Sequence, residues 1–343
     1  MTAPTTEREP LLVSGLEEFL AGPDAMNLET TLGRLRVAED ASTVTVRGEG
    51  REFPFDEAAE RAVADFLGIP KHYLAKCPAD LKATNVNAWL QSKEDSAAML
   101  SVINGGIVGV HGPDVKILPP GRVAHAISNV VDGDAEVVQV IRDSHRLHID
   151  IKTANAIEVP NPNRVHGRPE VGDVTHGGIR VLTCPDEARP PSVQGYFHRL
   201  WCSNGATTRQ QSGLISLKGL TVDEVLLEME EAARLVLSGL DNRLDEIAHM
   251  AQVPAPGNPT SFAHQLGREY RLGPNVMNRV IDRVNLLPQD ASVYDVQQAF
   301  TEVANRNVPY ATMMRLQELG GDLAFHTDHV VHRCHACERL LPE

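Results

Sequence analysis

The stretch GYFHRLWCSNGATTRQ, residues 195–210, decides how the rest of the chain is read. Successive side chains of an extended strand point to opposite faces, so Phe197, Arg199 and Trp201 share one face and Tyr196, His198, Leu200 and Cys202 the other. Asn204-Gly205 is the dipeptide best suited to a two-residue hairpin turn, because both residues tolerate positive φ. A strand, a turn and a return through ATTRQQ follow, which would bring Arg199 and Arg209 near one another. An arginine between two aromatic rings on a strand face suits single-stranded nucleic acid, with rings for bases and a guanidinium for phosphate. The same pattern also suits a core strand in which Phe197 and Trp201 fill the interior and Arg199 sits at its rim.

Outward from this hairpin, period-two segments continue on the N-terminal side. AAMLSVI, GIVGVHG, AEVVQVIRD, RLHIDIK and GGIRVLT read as strands separated by Gly, Pro, Asn and Asp, with a helix over 122–131 between two of them. NGGIVGVHG is Gly-rich but lacks the dinucleotide-binding fingerprint, and reads as a hairpin. Earlier still, GRLRVAED and STVTVRG form a hairpin about residues 39–41. FDEAAERAVADFLGI has helical spacing with Asp56 as N-cap, and DLKATNVNAWLQSK reads as a second helix.

At Thr221 the period changes to that of a helix. Thr221 and Glu224 make a capping box, and apolar residues from Val222 to Ile247 mark one face of a long amphipathic helix. Helices follow at 260–269, 274–285, 292–305 and 308–320, the last ended by Gly320-Gly321. The expected fold is α+β: a β-rich central sheet with flanking helices, a helical C-terminal third and a small Cys/His tail. The expected divisions are an N-terminal segment with a hairpin (1–55), an α+β core (56–220), a helical region (221–320) and the tail (321–343).

The composition narrows the partners. The formal net charge is −14, which by itself argues mildly against a nucleic-acid binder. Residues 142–218 nevertheless carry a net +3, so a local anion-binding surface is compatible with an acidic chain. No run of about 18 apolar residues appears, so no membrane partner is expected. The five cysteines are odd in number and mostly far apart, which points to reduced thiols rather than a disulfide framework. Walker-type phosphate loops, G-x-S-x-G elbows and H-E-x-x-H are absent.

Two clusters carry metal chemistry in principle. In RLHIDIK, Arg146, His148, Asp150 and Lys152 share a face. Asp-x-Lys on a strand is the pattern of a metal-dependent nuclease, in which a carboxylate holds Mg²⁺ and a lysine orients water. It requires a further carboxylate, for which Glu136 and Asp173 are available; a solvated strand face gives the same pattern. The second cluster is HTDHVVHRCHACE, residues 326–338, with four His, two Cys and one Asp. Cys334 and Cys337 have the spacing that places two thiolates on one tetrahedral zinc; His326, His329, His332 and His335 are available to complete the set, with His329 and His332 the preferred pair. Four protein ligands close the site, so the ion would be structural. A His-rich tail without metal and a redox cysteine pair remain open readings.

Four stretches together resemble a family of phage and plasmid proteins described only as a domain of unknown function. They are FPFDEAAERAVADFLGIPKHYLAKCPADL, NAWL, VGDVTHGGIRVLT and RLWCSNGATT, the last resembling that family's Arg-Leu-x-Cys-(Ser/Thr)-Asn-Gly signature at Arg199, Cys202, Asn204 and Gly205. The resemblance implies a mobile-element protein in a bacterial cytoplasm and carries no catalytic residues with it. The expected function is a homo-oligomeric, non-enzymatic single-stranded DNA-binding or annealing protein of recombination. Its cations would be Arg180, Arg199, Arg209 and Lys218, and its stacking rings Tyr196, Phe197 and Trp201. The alternatives are an interaction or structural phage protein, such as a host-defence antagonist or virion-associated factor, and a nuclease using His148, Asp150 and Lys152.

Overall fold

The computed structural model describes residues 10–21, 25–115, 117–143, 146–161, 173–184, 189–199, 204–207, 213–215, 220–325 and 327. The fold is α+β, and it divides into two compact units that do not follow chain order. The first comprises Met1–Ile149, Val181–Ser192 and Gly213–Glu231, and the second Asp150–Arg180, Val193–Ser212 and Ala232–Glu343.

In the first unit, helix α1 (Leu16–Leu20) precedes strand β1 (Ala25–Thr31), and a hairpin sheet follows of β2 (Leu35–Val37), β3 (Thr43–Val46) and β4 (Arg51–Pro54). Helices α2 (Glu57–Leu67), α3 (Lys71–Leu74) and α4 (Ala79–Ser92) lead to strands β5 (Ala97–Ile103) and β6 (Gly106–His111), which pair antiparallel as β1-β5-β6. Helix α5 (Pro120–Ser128) and strand β7 (Glu136–Arg142) follow. The local signals hold here. Asp56 accepts from the amides of Ala58 and Ala59 at 3.0 Å, and Gly68 ends α2 at φ +73°. Asn104 and Gly105, both at positive φ, form the turn between β5 and β6. Ala83, Val86 and Leu90 of α4 join Ala59 and Val63 of α2 in a core with Val44, Phe53, Leu100 and Ile107. Edge strand β2 has its backbone satisfied by Asn87, which donates to the Val37 carbonyl and accepts from the Val37 amide, each at 2.8 Å.

Strands β8 (Leu147–Glu158), β9 (Val174–Cys184) and β10 (Arg189–Arg199) contribute residues to both units. With β7, β11 (Asn204–Thr207) and β12 (Gly213–Leu214), the hydrogen-bonding order is β11-β10-β9-β8-β7, and β12 also pairs with β10. Gly178 of β9 lies so close to β8 that a β-carbon there would overlap the Ile151 carbonyl oxygen.

Helices α6 (Val222–Ser238), α7 (Leu240–Met250), α8 (Pro259–Glu269), α9 (Pro274–Val284), α10 (Val293–Ala304) and α11 (Tyr310–Phe325) complete the chain. The Thr221–Glu224 capping box is present: Thr221 N and Oγ1 both donate to Glu224, at 2.7 and 2.8 Å. The single long helix expected after it is two helices, divided at Gly239, which lowers helix stability relative to other residues. The second unit's core gathers Phe197, Leu240, Leu244, Phe262, Val280, Phe300, Leu316, Leu319 and Leu323.

Two glycine readings are corrected. Gly320-Gly321 does not end the last helix, which runs on to Phe325. A β-carbon at Gly320 would sit 2.8 Å from Thr301 Cγ2 and 3.4 Å from Ala206 Cβ, so the glycine permits close packing instead of a cap. Asn204-Gly205 is not the turn either. Both lie in β11, paired with Arg199 and His198 of β10.

Candidate functional site

Within the second unit, the polar side chains of the central strands meet residues from the C-terminal helices in two clusters of the same composition. In the first, β9 presents Arg180 to Asp150 on β8. Arg180 Nε donates to Asp150 Oδ1 at 2.5 Å and Nη2 to Oδ2 at 2.6 Å, a two-pronged pairing that matches guanidinium to carboxylate geometry. Nη1 donates to Gln317 Oε1 of α11 at 2.8 Å, and the guanidinium lies 5.3 Å from the Tyr196 ring centre. Arg180 is 0% exposed and Asp150 1%. Burial by itself would lower the proton affinity of Arg180, but the adjacent Asp150 outweighs it and holds the proton more firmly than usual. Tyr196 is pushed well above the ordinary tyrosine range, first by burial and then by Asp150, with Arg180 opposing. Its hydroxyl lies 3.2 Å from His198 Nδ1.

The second cluster repeats this set. Arg199 Nε donates to Asp173 Oδ1 at 2.5 Å and Nη2 to Oδ2 at 2.9 Å. Nη1 donates to Gln298 of α10 at 3.2 Å, and the guanidinium lies 5.6 Å from the Tyr294 ring. Gln298 in turn donates to Gln297 at 2.7 Å, and Gln297 to the Gly320 carbonyl at 3.1 Å. A small cleft lined by Thr175, Arg199, Tyr294, Gln297 and Thr301 adjoins this chain of bonds.

These geometries correct the expected roles of several residues. Arg180, Arg199, Tyr196 and Phe197 do not form an exposed nucleic-acid face. All four are buried, and both guanidiniums are neutralised by carboxylates, so neither is placed to take a phosphate. The nuclease-like strand is corrected for the same reason. His148 and Asp150 are buried, and a divalent cation beside Asp150 would meet the Arg180 guanidinium; Lys152 alone is partly exposed. Asp173, offered as a second metal carboxylate, is held by Arg199 instead. Nor is the strand face of RLHIDIK solvated: His148 and Asp150 are as buried as Leu147, Ile149 and Ile151. Trp201, Arg209, Lys218, Cys202 and the proposed zinc ligands His329, His332, Cys334 and Cys337 lie outside the described residues. Among the described residues, no group of three or more His, Cys, Asp or Glu side chains is arranged to hold a metal ion.

Sequence reasoning missed Gln298, Gln317 and Tyr294, the helical members of the clusters; nothing in their local pattern distinguishes them from other helix residues. It also missed an exposed pair in the first unit. Tyr73 of α3 and Trp89 of α4 meet edge to face, with ring centres 6.2 Å apart and planes at 78°. The signal was present in the spacing, because Leu81, Asn85 and Trp89 recur at every fourth position of α4, away from the buried Ala83, Val86 and Leu90.

No family model matches the chain, and neither a curated protein nor a solved structure matches it. The likeness to the phage and plasmid family therefore rests on the four quoted stretches alone. No described helix is long and apolar enough to cross a membrane.

Proposed function

We propose that the chain is a mobile-element DNA-metabolism protein of the bacterial cytoplasm that binds single-stranded DNA without cutting it. The observation that carries the non-catalytic half is the occupation of Asp150: both carboxylate oxygens face Arg180 in a buried pair. The one strand with a nuclease-like pattern is thereby committed to holding the fold. DNA as the partner is supported by the resemblance to phage and plasmid proteins and by the locally basic segments of an otherwise acidic chain. Binding as a ring or filament of like subunits is part of the proposal, and light scattering with and without DNA tests it. A mobility-shift assay on a labelled single strand, with an equal duplex as competitor and Mg²⁺ or Mn²⁺ present, tests the rest. The reading requires a shifted, uncut single strand. Cleavage that Asp150→Ala abolishes would replace it with the nuclease.

A structural zinc in the tail belongs to the same proposal. Its support is the Cys-x-x-Cys of Cys334 and Cys337 with His329 and His332 nearby in sequence. Purified protein is expected to carry an equivalent of zinc that Cys334→Ser with Cys337→Ser removes; a metal-free wild-type chain contradicts it. A second reading, an interaction protein, is favoured by Leu227 and Leu235, large apolar side chains that stand exposed on α6. It predicts no DNA binding.

A further inference from the structure

Trp89 is not needed to seat its helix. Helix α4 is anchored by Ala83, Val86 and Leu90, all buried, while Trp89 is 36% exposed, Tyr73 42% and Leu81 45%. The two rings are held in place all the same. They pack edge to face, and Asn85 Nδ2 donates to the Tyr73 hydroxyl at 2.8 Å, which fixes the phenol. Ordered aromatic rings facing water, with a polar residue spent on orienting one of them, are the makings of a stacking platform.

The charge of the segment that carries the rings points to the occupant. Residues 71–93 contain four lysines and one aspartate, a net +3, which leaves −17 on the rest of the chain. Lys76 follows Tyr73 by three positions and Lys93 follows Trp89 by four, and both are exposed, as is His72. Lys82 is turned to Glu60 at 2.5 Å and is committed to the fold. Glu94 and Asp95 bound the basic stretch at its C-terminal end. An acidic peptide would also suit the lysines; a polynucleotide single strand carries a stacking base with every phosphate and so matches rings and lysines together.

We infer that the Tyr73–Trp89 face holds single-stranded DNA, with a base stacked on Trp89 and phosphates at Lys76 and Lys93. The inference rests on the binding function proposed above and says where that binding takes place. It replaces the buried rings Tyr196 and Phe197 with exposed ones.

The chain has two tryptophans, so the emission change that the wild type shows and the full-length Trp89→Phe variant lacks belongs to Trp89. An oligothymidylate of about 20 nucleotides, longer than one binding module occupies, is titrated into both at low salt. Trp89 emission is expected to quench on binding. Separately, Trp89→Ala is expected to weaken binding by about fivefold or more, the loss of one stacked base, with Trp89→Phe retaining most of the affinity. Lys76→Ala with Lys93→Ala is expected to flatten the salt dependence by about 0.7 per lysine in log Kd against log salt. Binding without a change in Trp89 emission, and with Trp89→Ala at wild-type affinity, would overturn the inference while leaving the binding function intact. A wild-type chain that fails to bind at low salt would overturn both.

Discussion

Arg180 has no solvent against which to balance its charge, so Asp150 is its main electrostatic partner. Removing either member strands the other in a low-dielectric interior, at a cost of about 3–5 kcal/mol. Asp150→Leu and Arg180→Met are each expected to lower stability by that amount in chemical denaturation, and the double variant Asp150→Leu with Arg180→Met to recover most of it. A double variant as unstable as the sum of the singles would mean that the pair is not coupled. Tyr196 gives a pH signature. In the unfolded chain a tyrosine ionises at about pH 10, whereas the buried Tyr196 keeps its proton to higher pH. Above that value the unfolded state binds fewer protons, so stability falls as pH rises, by up to about 1.4 kcal/mol per unit from this group. Tyr196→Phe is expected to remove that increment from the alkaline slope, and an unchanged slope would contradict the burial account. None of this pairing was legible in sequence. The alternation of RLHIDIK showed which side chains share a face, but Arg180, which pairs with Asp150, lies 30 residues on, and Gln317, which Arg180 also reaches, lies 137 residues beyond Arg180.

At the scale of elements, local chemistry was legible wherever a single turn or cap decides the outcome. Asp56, Thr221 and Asn104-Gly105 act as their sequence context indicates, because the groups they satisfy are within a few residues. Glycine was read wrongly where packing uses it. Gly320 admits Thr301 and Ala206 against α11, and Gly205 sits in a strand beside His198, contacts that depend on distant chain. Gly178 follows the same logic. Gly178→Ala places a methyl on the Ile151 carbonyl, and is expected to cost about 3 kcal/mol or more by forcing β8 and β9 apart. A melting temperature equal to the wild type would show that the strands can part without penalty.

For the whole molecule, the α+β class was legible because helix and strand periods occupy separate stretches, strand period dominating from about Ala97 and helix period from Thr221. The division into compact units was not, since strands β8, β9 and β10 contribute to both and no break in composition marks where each passes over. The candidate site was legible only as residue types. Arginines and aromatics on strands suggested a nucleic-acid face, yet the clusters they form are interior ion pairs, and the exposed pair of rings, Tyr73 and Trp89, stands on α3 and α4. Net charge gives the expected binding its salt dependence: in a chain at −14, attachment to DNA depends on local cations and weakens as counterions compete. The most direct test of non-catalytic single-strand binding is fluorescence anisotropy of a labelled single-stranded oligonucleotide. The protein is titrated at low and at raised salt with Mg²⁺ present, and the oligonucleotide is then run on a denaturing gel. The account predicts a saturable rise at low salt, a much weaker one at raised salt, and an intact strand. Flat anisotropy at low salt, or a cleaved strand, would contradict it.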